Sequence, residues 1–478
     1  MNGAVAAGHR LTAESGARVL EAGGTAVDAC VAAALVSWVC ESPLTGPGGG
    51  GFMVVHTAGT GRTAVLDFFV SVPREAPAGE LLELAVHFDG DTRQLFRTGA
   101  AAVAVPGTAA GLEAAHRRWG KLPWRELVEP AALLARDGFE LTPEQAYLHA
   151  ILDPLLRHTP EGDAMYGADG RPLGVGERFA APEFAATLER IADEGVHALY
   201  RGELAHALVE HVRNGGGALA LEDLADYRVV RRRPVTASYR GYEFRSNPPP
   251  SSGGVLVALG LQALGEREPT PAAVADAMEA QEAARGAAFA RALYRGGLSK
   301  RLLSGTTHIS VVDERGDAAS LSASLGSGSG VVVPGTGIHL NNMLGELDLA
   351  GASRPGERLT SMMAPSVVLR DGRPRLVLGS AGSARLRGAI LQVVANVVGY
   401  GLGVEEAVDA PRVHAEGGVV HCEDAAAADA LEAEGRAVVR WRGRNLYFGG
   451  VSAVEAREDG ALAAAGDPRR GGAGVVIA

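Results

Sequence analysis

Apolar residues at Leu11, Val19 and Leu20, closed by Gly23-Gly24, predict a helix over 11–22 with Thr12 as its N-cap. Thr25, with Asp28 three positions on, predicts a capping box that opens a second helix. Its stretch from Val27 to Val39 is almost wholly apolar, but at about 13 residues it is too short to cross a bilayer. The run Thr45-Gly46-Pro47-Gly48-Gly49-Gly50-Gly51 then leads into a predicted strand, Phe52-Met53-Val54-Val55. It lacks the Gly-Lys-Ser/Thr ending and following helix of a phosphate loop, so it predicts close backbone approach instead. From about 110 to 230 the pattern is helical, with Pro123, Pro130 and Pro182 near helix starts and no candidate ligands. A loop, Asn247 to Gly254, leads into apolar Val255 to Leu264. The alanine-rich segment 266–304 follows, and Gly296 to Gly305 reads as an exposed, mobile stretch.

The pattern then sharpens. Thr306 to Asp313 predicts a strand and Ala318 to Leu325 its return, joined through Glu314-Arg315-Gly316 with Gly316 in the left-handed position. That hairpin register sets Thr306 opposite Ser324, with Cβ atoms about 5 Å apart. Scission of the Gly305–Thr306 bond would free an α-amino group with an ordinary pKa of about 7.7–8.0. Such an amine can act as general base for the hydroxyl of its own residue. Taken alone, the signal is weak, and the same residues better suit a strand filled with β-branched side chains.

Composition narrows the class. A 478-residue chain that is 47% apolar and 21% charged is neither disordered nor fibrous, and its length favours two domains or one large layered domain. A formal net charge of -11 argues against nucleic-acid or anionic-membrane partners. Cys30, Cys40 and Cys422 form neither a disulfide framework nor a CxxC motif and read as small buried side chains. His9, His56, His116, His308 and His339 show no metal-ligand spacing, and His308 reads as a hydrogen-bonded core histidine. With no basic start or continuous apolar region at the N-terminus, the expected location is cytoplasmic.

Seven ordered segments resemble the γ-glutamyltransferase (γ-glutamyltranspeptidase, glutathione hydrolase) family of N-terminal nucleophile hydrolases. They are Gly23 to Ala29, Gly46 to Met53, Val105-Pro106-Gly107, Pro248 to Gly254, Thr306-Thr307-His308, Leu340-Asn341-Asn342 and Thr360-Ser361-Met362. The resemblance implies an α+β fold of four layers, an αββα sandwich. It implies a precursor that cuts itself between Gly305 and Thr306 into a large segment, 1–305, and a small one, 306–478, which stay associated in one intertwined fold.

Carried over residue by residue, the resemblance makes Thr306 the nucleophile of an acyl-enzyme mechanism and Ser324 the hydroxyl beside it. Gly382 and Ser383 become the main-chain oxyanion donors. Thr360 and Ser361 match the hydroxyl pair that holds a substrate α-carboxylate, and Glu346 the acid that holds its α-ammonium. Two departures stand out. Phe69 occupies the place of the arginine that clamps the glutamyl carboxylate, with Arg74 the candidate to restore it through a local shift, and Gly326 replaces a polar residue. The implied activity is hydrolysis or transfer of γ-glutamyl amides of the glutathione type, with no cofactor or metal. One alternative is an acylase for a less charged acyl group, and another is an unprocessed, inactive binding scaffold. The implied partner is a small-molecule amide, with a homo-oligomer left open.

Overall fold

The computed structural model describes residues 3–87, 93–285, 305–346 and 354–477. Apart from Gly305, the stretch from Gly296 expected to be exposed and mobile lies outside the described residues. Two antiparallel sheets dominate. Their strands are β1 (Gly3–Ala7), β2 (Gly50–Thr57), β3 (Arg62–Phe68), β4 (Val230–Arg232), β5 (Val235–Tyr239), β6 (Tyr242–Ser246), β7 (Gly305–Val312) and β8 (Ala318–Gly326). They continue with β9 (Ser366–Arg370), β10 (Arg373–Ala381), β11 (Gly450–Ala456), β12 (Leu462–Gly466) and β13 (Ala473–Ile477). The first sheet runs β4-β3-β2-β8-β7-β1-β13 and the second β5-β6-β9-β10-β11-β12.

Strand periodicity explains the layering, because successive side chains point to opposite faces. In β7, Ile309 and Val311 pack into a cluster with helix Ala26–Cys40, while Val312 joins Ala4, Val54, Val367 and Val377 between the sheets. Helix Ala26–Cys40 is buried along its whole length, which is why its sequence is apolar all round. Helices Gly253–Leu264, Pro271–Ala284 and Leu386–Ala395 cover the second sheet through Val257, Met278 and Ile390. The order is helix, sheet, sheet, helix, so the expected α+β sandwich is present. Each sheet draws strands from both sides of the Gly305–Thr306 bond, and β1–β7, β2–β8 and β6–β9 ladders cross that division.

Local signals fared unevenly. Thr25 and Asp28 form the predicted capping box. Thr12 does not cap the first helix, Arg10–Glu21; the His9 side chain does, accepting from the Leu11 amide, and Thr12 is turned inward. Pro130 lies inside helix Trp124–Asp137 instead of at its start. The glycine run is crowded as expected: a Cβ at Gly49 would lie 2.3 Å from the Ser324 carbonyl oxygen, and one at Gly51 2.4 Å from that of Ser322.

Candidate active site

The hairpin register holds from Val312↔Ala318 to Thr307↔Ala323 and then breaks, for the next pair is Gly305↔Gly326. Two residues, Ser324 and Leu325, therefore face the single Thr306, which is a β-bulge in β8. The predicted one-to-one pairing of Thr306 with Ser324 is corrected accordingly. The Leu325 amide turns away to the Leu44 carbonyl, 2.9 Å, and the Ser324 hydroxyl fills the gap. It donates to the Gly305 carbonyl oxygen and accepts from the Gly326 amide at 2.8 Å. The hydroxyl expected beside Thr306 thus sits on the carbonyl of the Gly305–Thr306 bond.

Thr306 is 2% exposed and lines two cavities. One is a cleft of about 20 Å³ shared with Phe69, Ser324, Glu346, Ser361 and Ser383, so it assembles most of the predicted site. Met343, Met362, Met363 and Leu386 complete its wall. Thr360 is half-buried and does not line it. The cleft has room for roughly one water in the intact chain.

Ser383 holds φ +55°, and Gly382 before it φ +121°, in the turn between β10 and helix Leu386–Ala395. A Cβ at Gly382 would stand 2.8 Å from the Gly449 Cα, so the first position admits only glycine. The left-handed serine at the second position keeps the main-chain amide that an oxyanion requires. Glu346 is 5% exposed and accepts from the Ser327 amide at 3.2 Å. Gly326, at φ +75°, has no room for a side chain: its Cβ would meet Asn342 Oδ1 at 2.1 Å and Glu346 Oε1 at 2.9 Å. Those two oxygens supply polarity at the position where the sequence suggested its loss. The Ser361 hydroxyl accepts from the Met363 amide, 3.0 Å, and its carbonyl is held by Ser251 and Ser252.

Phe69 is 1% exposed, stacks on Phe52 at 5.5 Å and clusters with Met343, Leu359 and Met363. Arg74 does not replace the missing guanidinium. It is half-exposed, and its charge is already paired with Asp226 and Asp223, away from the cleft.

The second cavity, about 270 Å³, shares only Thr306 with the first among its lining residues and was not foreseen. Its wall includes Glu41, His149, Arg469 and Arg470, with Gln145 from a helical region that showed no ligand pattern in sequence. Burial lifts the Glu41 carboxyl to about 7, opposed by hydroxyl hydrogen bonds and the Arg470 charge. Burial, with Arg385 nearby, lowers the Arg470 guanidinium to about 10. His308 is the expected core histidine: its ring nitrogens meet Ser322 Oγ at 2.8 Å and Ser310 Oγ at 2.9 Å, and burial lowers it to about 3. Among the described residues no cluster of His, Cys, Asp and Glu has metal-site geometry.

The family model described as gamma-glutamyltranspeptidase matches residues 12–296 and 276–477. The chain is 35% identical over 529 residues to the acylase ACY 1 proenzyme of a Pseudomonas species, spanning 99% of this chain and 93% of that protein. It is 30% identical over 531 residues to the glutathione hydrolase proenzyme of Escherichia coli, spanning 98% and 90%. The crystal structure of cephalosporin acylase from Bacillus halodurans superposes with a TM-score of 0.85 at 26% identity, covering 99% of this chain and 95% of that one.

Proposed function

Since the chain belongs to the γ-glutamyltranspeptidase family, we propose that it is a precursor that cleaves itself at Gly305–Thr306 and then hydrolyses or transfers γ-glutamyl amides through Thr306. The single observation that supports this most is the bulge, where the Ser324 hydroxyl holds the Gly305 carbonyl beside Thr306. In self-cleavage the Thr306 Oγ adds to that carbonyl, and the hydroxyl of Ser324 stabilises the resulting oxyanion. The C–N bond then breaks, the Thr306 nitrogen takes up the proton, and water hydrolyses the ester. The products are segments 1–305 and 306–478.

The freed amine is the base for turnover. It takes the Oγ proton as Oγ attacks the substrate amide, and passes it to the departing amine. The main-chain amides of Gly382 and Ser383 are suited to hold the oxyanion, and water or an acceptor amine then releases the acyl group. Ser361 and Glu346 line the acyl cleft as partners for a carboxylate and an ammonium.

A second reading, an acylase for a less charged acyl group, is favoured by Phe69, whose ring in a Phe/Met cluster offers no charge-assisted hydrogen bonds to a carboxylate. Denaturing gels test processing: the 49.2 kDa chain is expected to give two bands, and one persistent band sinks the proposal. Comparing γ-glutamyl-p-nitroanilide with uncharged acyl anilides separates the readings. A large preference for the uncharged compounds would replace the first with the second.

A further inference from the structure

Resting on the self-cleavage proposed above, we infer that Glu41 is a positioning residue for the nucleophile, holding the bulge at Thr306 in register through the Thr307 hydroxyl. Glu41 is the residue just past helix Ala26–Cys40, and its amide closes that helix on the Ser37 carbonyl at 2.8 Å. Its own carbonyl accepts from the Leu44 and Thr45 amides at 2.8 and 3.1 Å, forming a tight turn.

The turn grips the bulge at three points. The Glu41 carboxylate accepts from the Thr307 hydroxyl at 2.5 Å. The Leu44 carbonyl accepts from the Leu325 amide at 2.9 Å. The Leu44 side chain abuts Gly305, where an added Cβ would meet Leu44 Cδ2 at 2.7 Å. The second carboxylate oxygen takes the Thr12 hydroxyl at 2.9 Å, so helix Arg10–Glu21 braces the same acid. Space is reserved for it: a Cβ at Gly8 would stand 2.5 Å from Glu41 Oε2. Thr12, misread as a cap, has this task instead.

The arrangement is directional. Two hydroxyls donate to the two oxygens of an ionised carboxylate; a protonated carboxyl must itself donate, and one hydroxyl loses its acceptor. The groups facing Glu41 are Arg470, whose charge favours the ionised form, and the Cys40 thiol, which burial holds well above its ordinary range. His9, Glu144, Asp467, Arg469 and Arg444 line the same cavity. With Glu41 near 7, the ionised clamp is lost as pH falls through neutrality. Before scission the Thr306 nitrogen is a peptide amide and not a free amine, so self-cleavage reports this titration apart from that of the catalytic amine.

The test follows conversion of the 49.2 kDa chain across about pH 5.5–8.5 for wild type, Glu41→Gln, Thr307→Val, Thr307→Ser and the Glu41→Gln/Thr307→Val double variant. The wild-type rate is expected to fall roughly tenfold per pH unit below about 7. Glu41→Gln and Thr307→Val should each slow it roughly tenfold or more. Both should also flatten the acid limb, and Thr307→Ser should keep the wild-type profile. The double variant should be no slower than the slower single one, because both remove the same hydrogen bond. Additive losses, or a wild-type rate and acid limb in Glu41→Gln, overturn the inference. If Glu41→Gln does not fold, Thr307→Val, which preserves shape and strand preference, decides: an unchanged rate overturns it. A wild-type chain that never cleaves overturns the proposed function itself, a result distinct from cleavage that ignores Glu41.

Discussion

Replacing Ser324 with alanine removes one oxygen that does two jobs. Its hydroxyl donates to the Gly305 carbonyl and accepts from the Gly326 amide at 2.8 Å, in a site where Ser324 is 2% exposed. Loss of one oxyanion donor costs about 10²–10³ in rate, or about 2.7–4 kcal/mol of barrier. The orphaned Gly326 amide costs a further ~1–3 kcal/mol, but in folding stability. The two effects are separable. Ser324→Ala should slow conversion of the 49.2 kDa chain at least a hundredfold on a denaturing-gel time course, while lowering its urea midpoint only modestly. Ser324→Thr, which keeps the hydroxyl, should restore most of the rate. Cleavage of Ser324→Ala at the wild-type rate would refute the idea that this hydroxyl carries the developing charge.

Other consequences are as direct. Phe69→Ala should cost about 3–5 kcal/mol by urea denaturation, because the ring is 1% exposed and packed on Phe52; a loss under about 1 kcal/mol would contradict that packing. Ser383→Gly should be neutral or slightly stabilising, since relief of left-handed strain, about 1–2 kcal/mol, is offset by about 0.5–1 kcal/mol of added unfolded-chain entropy. Substrate turnover by the processed protein should survive, and its loss would assign the work to the hydroxyl instead of the main-chain amide. Burial lowers His308 to about 3 and His9, His149, His339 and His414 to about 4, so the unfolded chain binds more protons than the folded one between those values and about 6.5. Stability should therefore fall as pH drops from about 6.5 towards 4, by up to ~1.4 kcal/mol per pH unit for each histidine. Denaturation midpoints that are flat from about pH 7 to 5 would mean these rings are not held neutral.

Much of this molecule is written in short-range signals. The capping box at Thr25, the hairpin turn at Gly316 and the strand carrying Thr306 depend on neighbours a few residues away, and they are where the pattern placed them. The motif spacing likewise brought Phe69, Ser324, Glu346, Ser361 and Ser383 to one cleft with Thr306. What the chain order could not reveal are contacts whose partners lie hundreds of positions apart. Thr307 meets Glu41 across 266 residues, and nothing local marks that acid as different from a helix-ending surface glutamate. The bulge is decided in the same way: the strand pattern favours unbroken pairing, and only the Leu44 carbonyl, arriving from the turn after Glu41, draws Leu325 out of register. Arg74 could be considered for the cleft only until packing set Asp223 and Asp226 beside it. Local propensities and motif spacing therefore fixed the elements and singled out Thr306. The environment around Thr306 was decided by tertiary packing, because burial and charge pairing act through space and leave no periodic trace along the chain.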